Sequence, residues 1–302
     1  MWAQRREVAL ARCVAAVHCV PSAVALTHEA AALVHGLWLW DGEPDVRVAV
    51  PATPGRTVRP LEPIVFRPDR LPCESTSGRS CSIRKRRSSL GEQETTVVNG
   101  LPVSTLMRTA VDCAFDLPAR ESICVLDAAM RALCRPDRFR PEVGAARWRR
   151  ARAELLAAVE AQGPRRGAAR ARAVAAIASP YAESPGESVL RRFVLTLGLP
   201  APVLQRPVTP SGPGGRMSEF FIDLAWPDLR LAVEFDGRAK YERNNDLWEE
   251  KRRQDLVTAL GWRFERVTWE DLRDEAALAG RLMTHFPDHV VRSASRVRGL
   301  WE

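Results

Sequence analysis

The chain has 302 residues, enough for about two domains, and a hydrophobic fraction of 46%, enough for a sizeable core. Its net charge of +8 and pI near 9.6 favour an acidic partner, with nucleic acid first, unless arginine is simply raised throughout the chain. No run approaches the ~18–20 apolar residues that span a bilayer, which excludes a membrane partner of that kind.

Seven cysteines, at 13, 19, 73, 81, 113, 124 and 134, form no C-x-x-C pair, so zinc-ribbon spacing is absent. Several fall in apolar helical patterns, where reduced thiols are expected, and a reducing cytoplasm fits best. The basic start, Arg5-Arg6, precedes an apolar run interrupted by Arg12 and His18, a poor signal peptide.

Residues 7–37 read as helical, interrupted at Pro21-Ser22, with Thr27 as an N-cap and Gly36 as a stop. His28 and His35 lie about two helical turns apart and could share a face, although such histidines more often pack than bind metal. Val46–Val50 alternates as a strand, and 64–67 reads as another. The segment 71–94, with Arg84-Lys85-Arg86-Arg87, is polar and basic without periodicity. It reads as a solvated loop or as one that lies on a phosphate backbone. Asn99-Gly100 predicts a hairpin turn, Ser104 the cap of a helix to about Phe115, and Pro118 the start of a second helix.

Between 135 and 175 eleven arginines face four acids. A helix is predicted over about 145–161, broken at Gly163-Pro164, in a basic connecting segment. It is either a solvated connector or a surface that neutralises phosphates through Arg147, Arg149, Arg150, Arg165 and Arg166.

Ser184-Pro185-Gly186-Glu187 predicts a helix opened by a capping box and closed at Gly198. A strand follows at Val203–Val208, then a Gly/Pro loop. Two apolar strands come next, Phe220–Trp226 and Leu229–Gly237, joined at Pro227-Asp228. A helix over 244–260, a strand over 262–267 and a second capping box at Thr268–Asp271 complete the chain.

The acids on the paired strands are the unusual feature. Asp223 sits mid-strand between Ile222 and Leu224, where there is no turn or cap to serve. Glu234 and Asp236 are two residues apart and share a strand face. Carboxylates converging among apolar neighbours are costly unless a cation offsets them, and oxygen ligands suit Mg²⁺, with Mn²⁺ as the alternative. Asp236 also suits an Asx turn before Gly237, and Glu187 a capping role alone.

Two resemblances follow from these motifs. His28–Gly36, Asn99–Ser104, Arg108–Asp112 and Leu126–Ala129 resemble the C-terminal part of AbiEi-type antitoxins, without their winged helix-turn-helix. Residues 180–286, through Ser184–Ser188, Ile222–Pro227, Ala232–Gly237 and Leu260–Arg263, resemble the PD-(D/E)xK superfamily and, within it, very-short-patch-repair (Vsr-like) endonuclease domains. The combined reading is an α/β protein: an α+β domain over 1–134, a basic helical linker over 135–179, and a restriction-endonuclease-like mixed sheet flanked by helices over 180–302.

The second resemblance implies metal-dependent hydrolysis of DNA, with Asp223 and Glu234 as ligands and Glu187 as the helical acid. Asp236 stands where the superfamily motif has Lys. Lys240 is the first substitute, with Lys251, Arg252 and Arg253 also in reach, and Lys251 and Arg253 as phosphate contacts. DNA is the expected partner, a homodimer a further one, and no small-molecule cofactor is expected. The competing reading is an antitoxin-type regulator on an inactive nuclease fold.

Overall fold

The computed structural model describes residues 2–62, 80–88, 90–209, 220–237 and 257–301. The chain has the mixed helix-and-sheet content of an α/β protein and divides into two compact units, Met1–Leu117 and Pro118–Glu302. No helix among the described residues is long and apolar enough to cross a membrane.

In the first unit the described strands form one sheet in the order β3-β4-β2-β1-β6-β5. These are β1 (Ala25–Thr27), β2 (Val46–Val50), β3 (Val58–Pro60), β4 (Ser82–Arg87), β5 (Thr95–Val98) and β6 (Leu101–Ser104). Three helices belong to this unit: α1 (Trp2–Cys19), α2 (His28–Val34) and α3 (Leu106–Asp116). Ala30, Ala31 and Ala32 are buried, and these small side chains let α2 lie close on β1, β2 and β6. The Asn99-Gly100 turn is as predicted: both residues have positive φ, 50° and 78°, the geometry whose twist matches a two-residue hairpin.

Three local expectations in this unit change. Part of the segment read as a loop is β4, paired in parallel with β2 from Val46↔Ile83 to Val50↔Arg87. Its charge obscured it: only Ser82 and Ile83 are buried, while Arg84 pairs with Asp45 and Arg86 with Asp116. The cap of α3 is Thr105, whose side chain accepts from the Arg108 N–H, while Ser104 ends β6 and is buried. His28 and His35 do not converge: His28 bonds Thr27 and Asp116, and His35 Nε2 lies 2.7 Å from the Ser104 carbonyl oxygen. The strand predicted over 64–67 lies outside the described residues.

The second unit begins at Pro118, ahead of the 134/135 boundary read from sequence. Its first helices are α4 (Ala119–Cys134), α5 (Pro141–Ala161) and α6 (Ala168–Ile177), which pack on one another. The segment expected to connect domains therefore belongs to a core: Leu155, Val159, Ala171 and Val174 are buried, with the arginines on the outer side. Then come α7 (Pro185–Thr196), β7 (Val203–Val208), β8 (Phe220–Trp226), β9 (Leu231–Asp236) and β10 (Arg263–Thr268). The chain ends in α8 (Glu275–Met283), α9 (Asp288–Ser293) and α10 (Arg298–Trp301). Asp271 accepts from the Thr268 N–H as a cap would, but the helix begins later, with Asp274 as its N-cap.

The described strands of this unit run β10-β9-β8-β7, parallel between β10 and β9 and antiparallel elsewhere. Helix α7 is held between this sheet and the helices. Val189, Leu190, Phe193 and Val194 are fully buried. Two buried arginines fix its position: Arg191 donates to Asp127 of α4 at 2.6 Å, and Arg192 to the Leu300 carbonyl at 2.7 Å and to Glu275. A lone buried guanidinium would be prohibitive, so these pairings set where α7 can sit. The six described cysteines are free thiols, five of them buried.

Candidate active site

The first turn of α7 meets the sheet at Gly186. A Cβ at this position would overlap the Phe235 ring, so the absent side chain allows the helix start to approach β9. The ring itself is set edge-on to Trp269, with centroids 4.8 Å apart. This contact carries Glu187, one residue further on, toward the strand acids.

Ser184 caps the helix, its Oγ accepting from the Glu187 N–H at 3.2 Å. The return half of the predicted capping box is shifted by one residue: Glu187 Oε2 accepts from the Glu183 N–H at 2.8 Å. The same oxygen accepts from Gln205 Nε2 at 3.0 Å, and that nitrogen lies 3.4 Å from Asp223 Oδ1. Asp223 Oδ2 accepts from the Phe235 N–H at 3.0 Å. Helix and sheet acids thus share one amide, and the strand acid is tied to the backbone of its neighbour.

Gln205 reaches both because of its backbone. The β7–β8 register runs through Leu204↔Leu224 and Arg206↔Ile222 and places Gln205 across from Asp223. Gln205 has φ +47°, in the left-handed region that non-glycine residues rarely occupy. The sequence pattern did not single out Gln205; a lone amide in a short strand beside an acid-bearing strand was the available signal.

Electrostatics agree with this crowding. Glu187 is 7% exposed. Burial, and then the charge of Asp223, push its carboxyl up to about 8, against the opposing hydrogen bonds from Glu183 and Ser184. So deep a burial, with a second acid on the next element, favours the protonated carboxyl.

The β8–β9 register is Leu224↔Val233, Ala225↔Ala232, Trp226↔Leu231. The ladder ends there, one residue short of Asp223 and Glu234, both half-buried. Asp236 is half-buried and lies 3.8 Å from Arg266 of β10, the residue paired in register with Glu234. Arg266 was also missed from sequence, where it is one more charge in an alternating strand. Among the described residues no group of three or more His, Cys, Asp or Glu side chains is assembled to hold a metal.

Lys240, Lys251 and Arg253 lie outside the described residues. The predicted phosphate contacts are on the helical layer. Arg147, Arg149 and Arg150 are exposed on α5, with Arg150 paired to Glu154 at 2.8 Å. Arg166 is exposed and Arg165 half-buried between α5 and α6, its side chain 3.3 Å from Gln162.

Beside the shared amide opens a cavity of about 690 Å³, lined by residues that include Gln205, Arg206, Glu183, Tyr181, Arg138 and Phe139.

No family model matches the chain, and no solved structure matches it. Two curated proteins are similar to it: the uncharacterized protein MT2308 of Mycobacterium tuberculosis (strain CDC 1551 / Oshkosh) and the uncharacterized protein Rv2248 of Mycobacterium tuberculosis (strain ATCC 25618 / H37Rv). Each is 34% identical over 178 residues, which is 59% of this chain and 59% of the relative's length.

Proposed function

We propose that the second unit is a metal-dependent phosphodiesterase acting on DNA, of the restriction-endonuclease-like kind that its acid-bearing strands resemble. The observation that carries this reading is the sharing of Gln205 Nε2 between the buried Glu187 and Asp223, at 3.0 and 3.4 Å. A fold that only binds nucleic acid gains nothing from acids gathered at one place, because they repel phosphate.

The donor chemistry fits a hard divalent ion. Asp223 and Glu234 would hold it, with the Phe235 carbonyl as a third oxygen. When bound, Mg²⁺ or Mn²⁺ offsets the charge of the phosphate and activates water for attack.

The chain's own residues do the rest. Gln205 and the Phe235 N–H fix both oxygens of Asp223, so its carboxylate presents one orientation. The two hydrogen bonds to Glu187 fall on Oε2, which leaves Oε1 as the oxygen that holds or gives up a proton during hydrolysis. Arg266 brings a positive charge to the strand whose motif lacks lysine.

The test is cleavage of duplex, mismatched and single-stranded DNA by purified protein with Mg²⁺ or Mn²⁺, against Asp223→Ala prepared identically. Metal-dependent cutting that the variant loses supports the reading. An equal rate in both preparations marks a contaminant, and no cutting of any substrate overturns it in favour of a binding-only regulator.

A further inference from the structure

We propose that the cavity beside Gln205 is a nucleobase pocket, which receives one unstacked base of the strand whose phosphate lies at Glu187 and Asp223. The inference rests on the phosphodiesterase reading for the strand's orientation, and it adds that the substrate must be single-stranded or locally opened there.

The cavity holds about 690 Å³, a volume suited to one nucleotide. One wall is a held aromatic group. Phe139 is 65% exposed, yet its ring stands edge-on to Phe221 with centroids 5.2 Å apart and planes at 90°. Arg138 lies over both rings, 4.8 Å from the Phe221 centroid and 5.4 Å from that of Phe139. The short turn is braced at both residues: Asp137 Oδ1 accepts from the Phe139 N–H at 2.9 Å, and Glu183 Oε2 from Arg138 Nη1 at 2.9 Å.

A single exposed phenylalanine needs no explanation. One fixed in orientation at the mouth of a cavity, with a guanidinium plane beside it, presents the flat π surfaces on which bases stack. The lining also includes Arg206, exposed on β7 and next in sequence to the amide that joins the two acids. A base on Phe139 and a phosphate near Arg206 lead the strand toward Glu187. The rest of the lining is mostly apolar, from Ile177, Leu195, Val203 and Leu204, which suits a base face, and its further arginines are paired, Arg131 with Glu183 and Arg191 with Asp127.

The full chain is titrated in EDTA with two fluorescein-labelled nine-unit strands. One is built entirely of abasic tetrahydrofuran spacers, and the other carries a single adenine at its centre. Anisotropy should show the adenine strand binding about tenfold more tightly, as stacking on an aromatic side chain allows. Phe139→Ala should abolish that difference, Phe139→Trp should retain it, and Arg206→Ala should weaken both strands alike. Melting temperatures matching wild type will show that the variants fold.

Equal affinity for the two strands in the wild type, or a difference that survives Phe139→Ala, overturns the pocket. Cleavage with Mn²⁺ is measured separately. Cutting without any contribution from the base removes the pocket and leaves the phosphodiesterase. A base contribution without cutting leaves the pocket and removes the phosphodiesterase.

Discussion

Glu187 and Asp223 bring their carboxyl oxygens to one nitrogen: Gln205 Nε2 lies 3.0 Å from Glu187 Oε2 and 3.4 Å from Asp223 Oδ1. Asp223, which Gln205 and the Phe235 N–H orient, and Glu234 would bind a divalent ion in the folded state alone. Mn²⁺ or Mg²⁺ should therefore raise the melting temperature, by about 2.7 kcal/mol of added stability at a hundredfold excess over Kd. Asp223→Ala and Glu234→Ala should lose most of this gain and the heat of metal binding by calorimetry. A wild-type melting temperature unmoved by either ion would count against the metal site.

Glu187 makes a second prediction with a definite sign. Its folded pKa of about 8 lies above the ordinary value of 4.5, so the folded state binds the extra proton between these values. Stability should fall as pH rises from about 4.5 through 8 in metal-free buffer. Glu187→Gln keeps the shape and removes the titration. It should be more stable than wild type at pH 9 in EDTA, by on the order of 2 kcal/mol, and should lose cleavage. Urea melts across the pH range measure this; parallel curves for the two proteins would refute it.

The strand acids were legible because their pattern breaks an otherwise apolar run: Asp223 between Ile222 and Leu224 has no local role. The two residues that organise them were not. Gln205 acts through a left-handed φ within β7, and Arg266 through a parallel pairing with a strand some thirty residues earlier. Neither a backbone angle nor a long-range register is written in local spacing. Strand β4 failed for a related reason, since its arginines face Asp45 and Asp116 rather than water alone. In the helices over 141–177 the arginines dominate the local composition and mask the apolar spacing of Leu155 and Val159 on the buried side.

Gly186 tests whether the approach of α7 to β9 matters. A methyl group there meets the Phe235 ring, which Trp269 holds edge-on. Gly186→Ala should destabilise by about 1–3 kcal/mol, the usual scale of overpacking, and should reduce cleavage more than binding because Glu187 is displaced. Phe235→Leu added to it should restore part of the stability. A double variant no better than the sum of its parts would show that the two residues do not meet.

Asp116 in the first unit offers a test independent of the nuclease site. His28, with φ +53°, contacts Thr27 through Nδ1 and Asp116 Oδ2 through Nε2 at 2.9 and 3.0 Å, and Arg86 pairs with the same carboxylate. Burial alone would raise the Asp116 carboxyl; the hydrogen bond from His28 and the Arg86 guanidinium overcome it and hold the group well below the usual range. A depressed carboxylate contributes stability that is complete above its unfolded value and disappears as pH falls through the folded one. Asp116→Asn should thus cost about 1.5–3 kcal/mol near neutrality, the scale of a hydrogen bond to a charged group. The deficit should shrink in acid as the wild type loses its charge. A deficit constant from pH 7 to pH 2 would mean that packing, not ionisation, makes Asp116 matter.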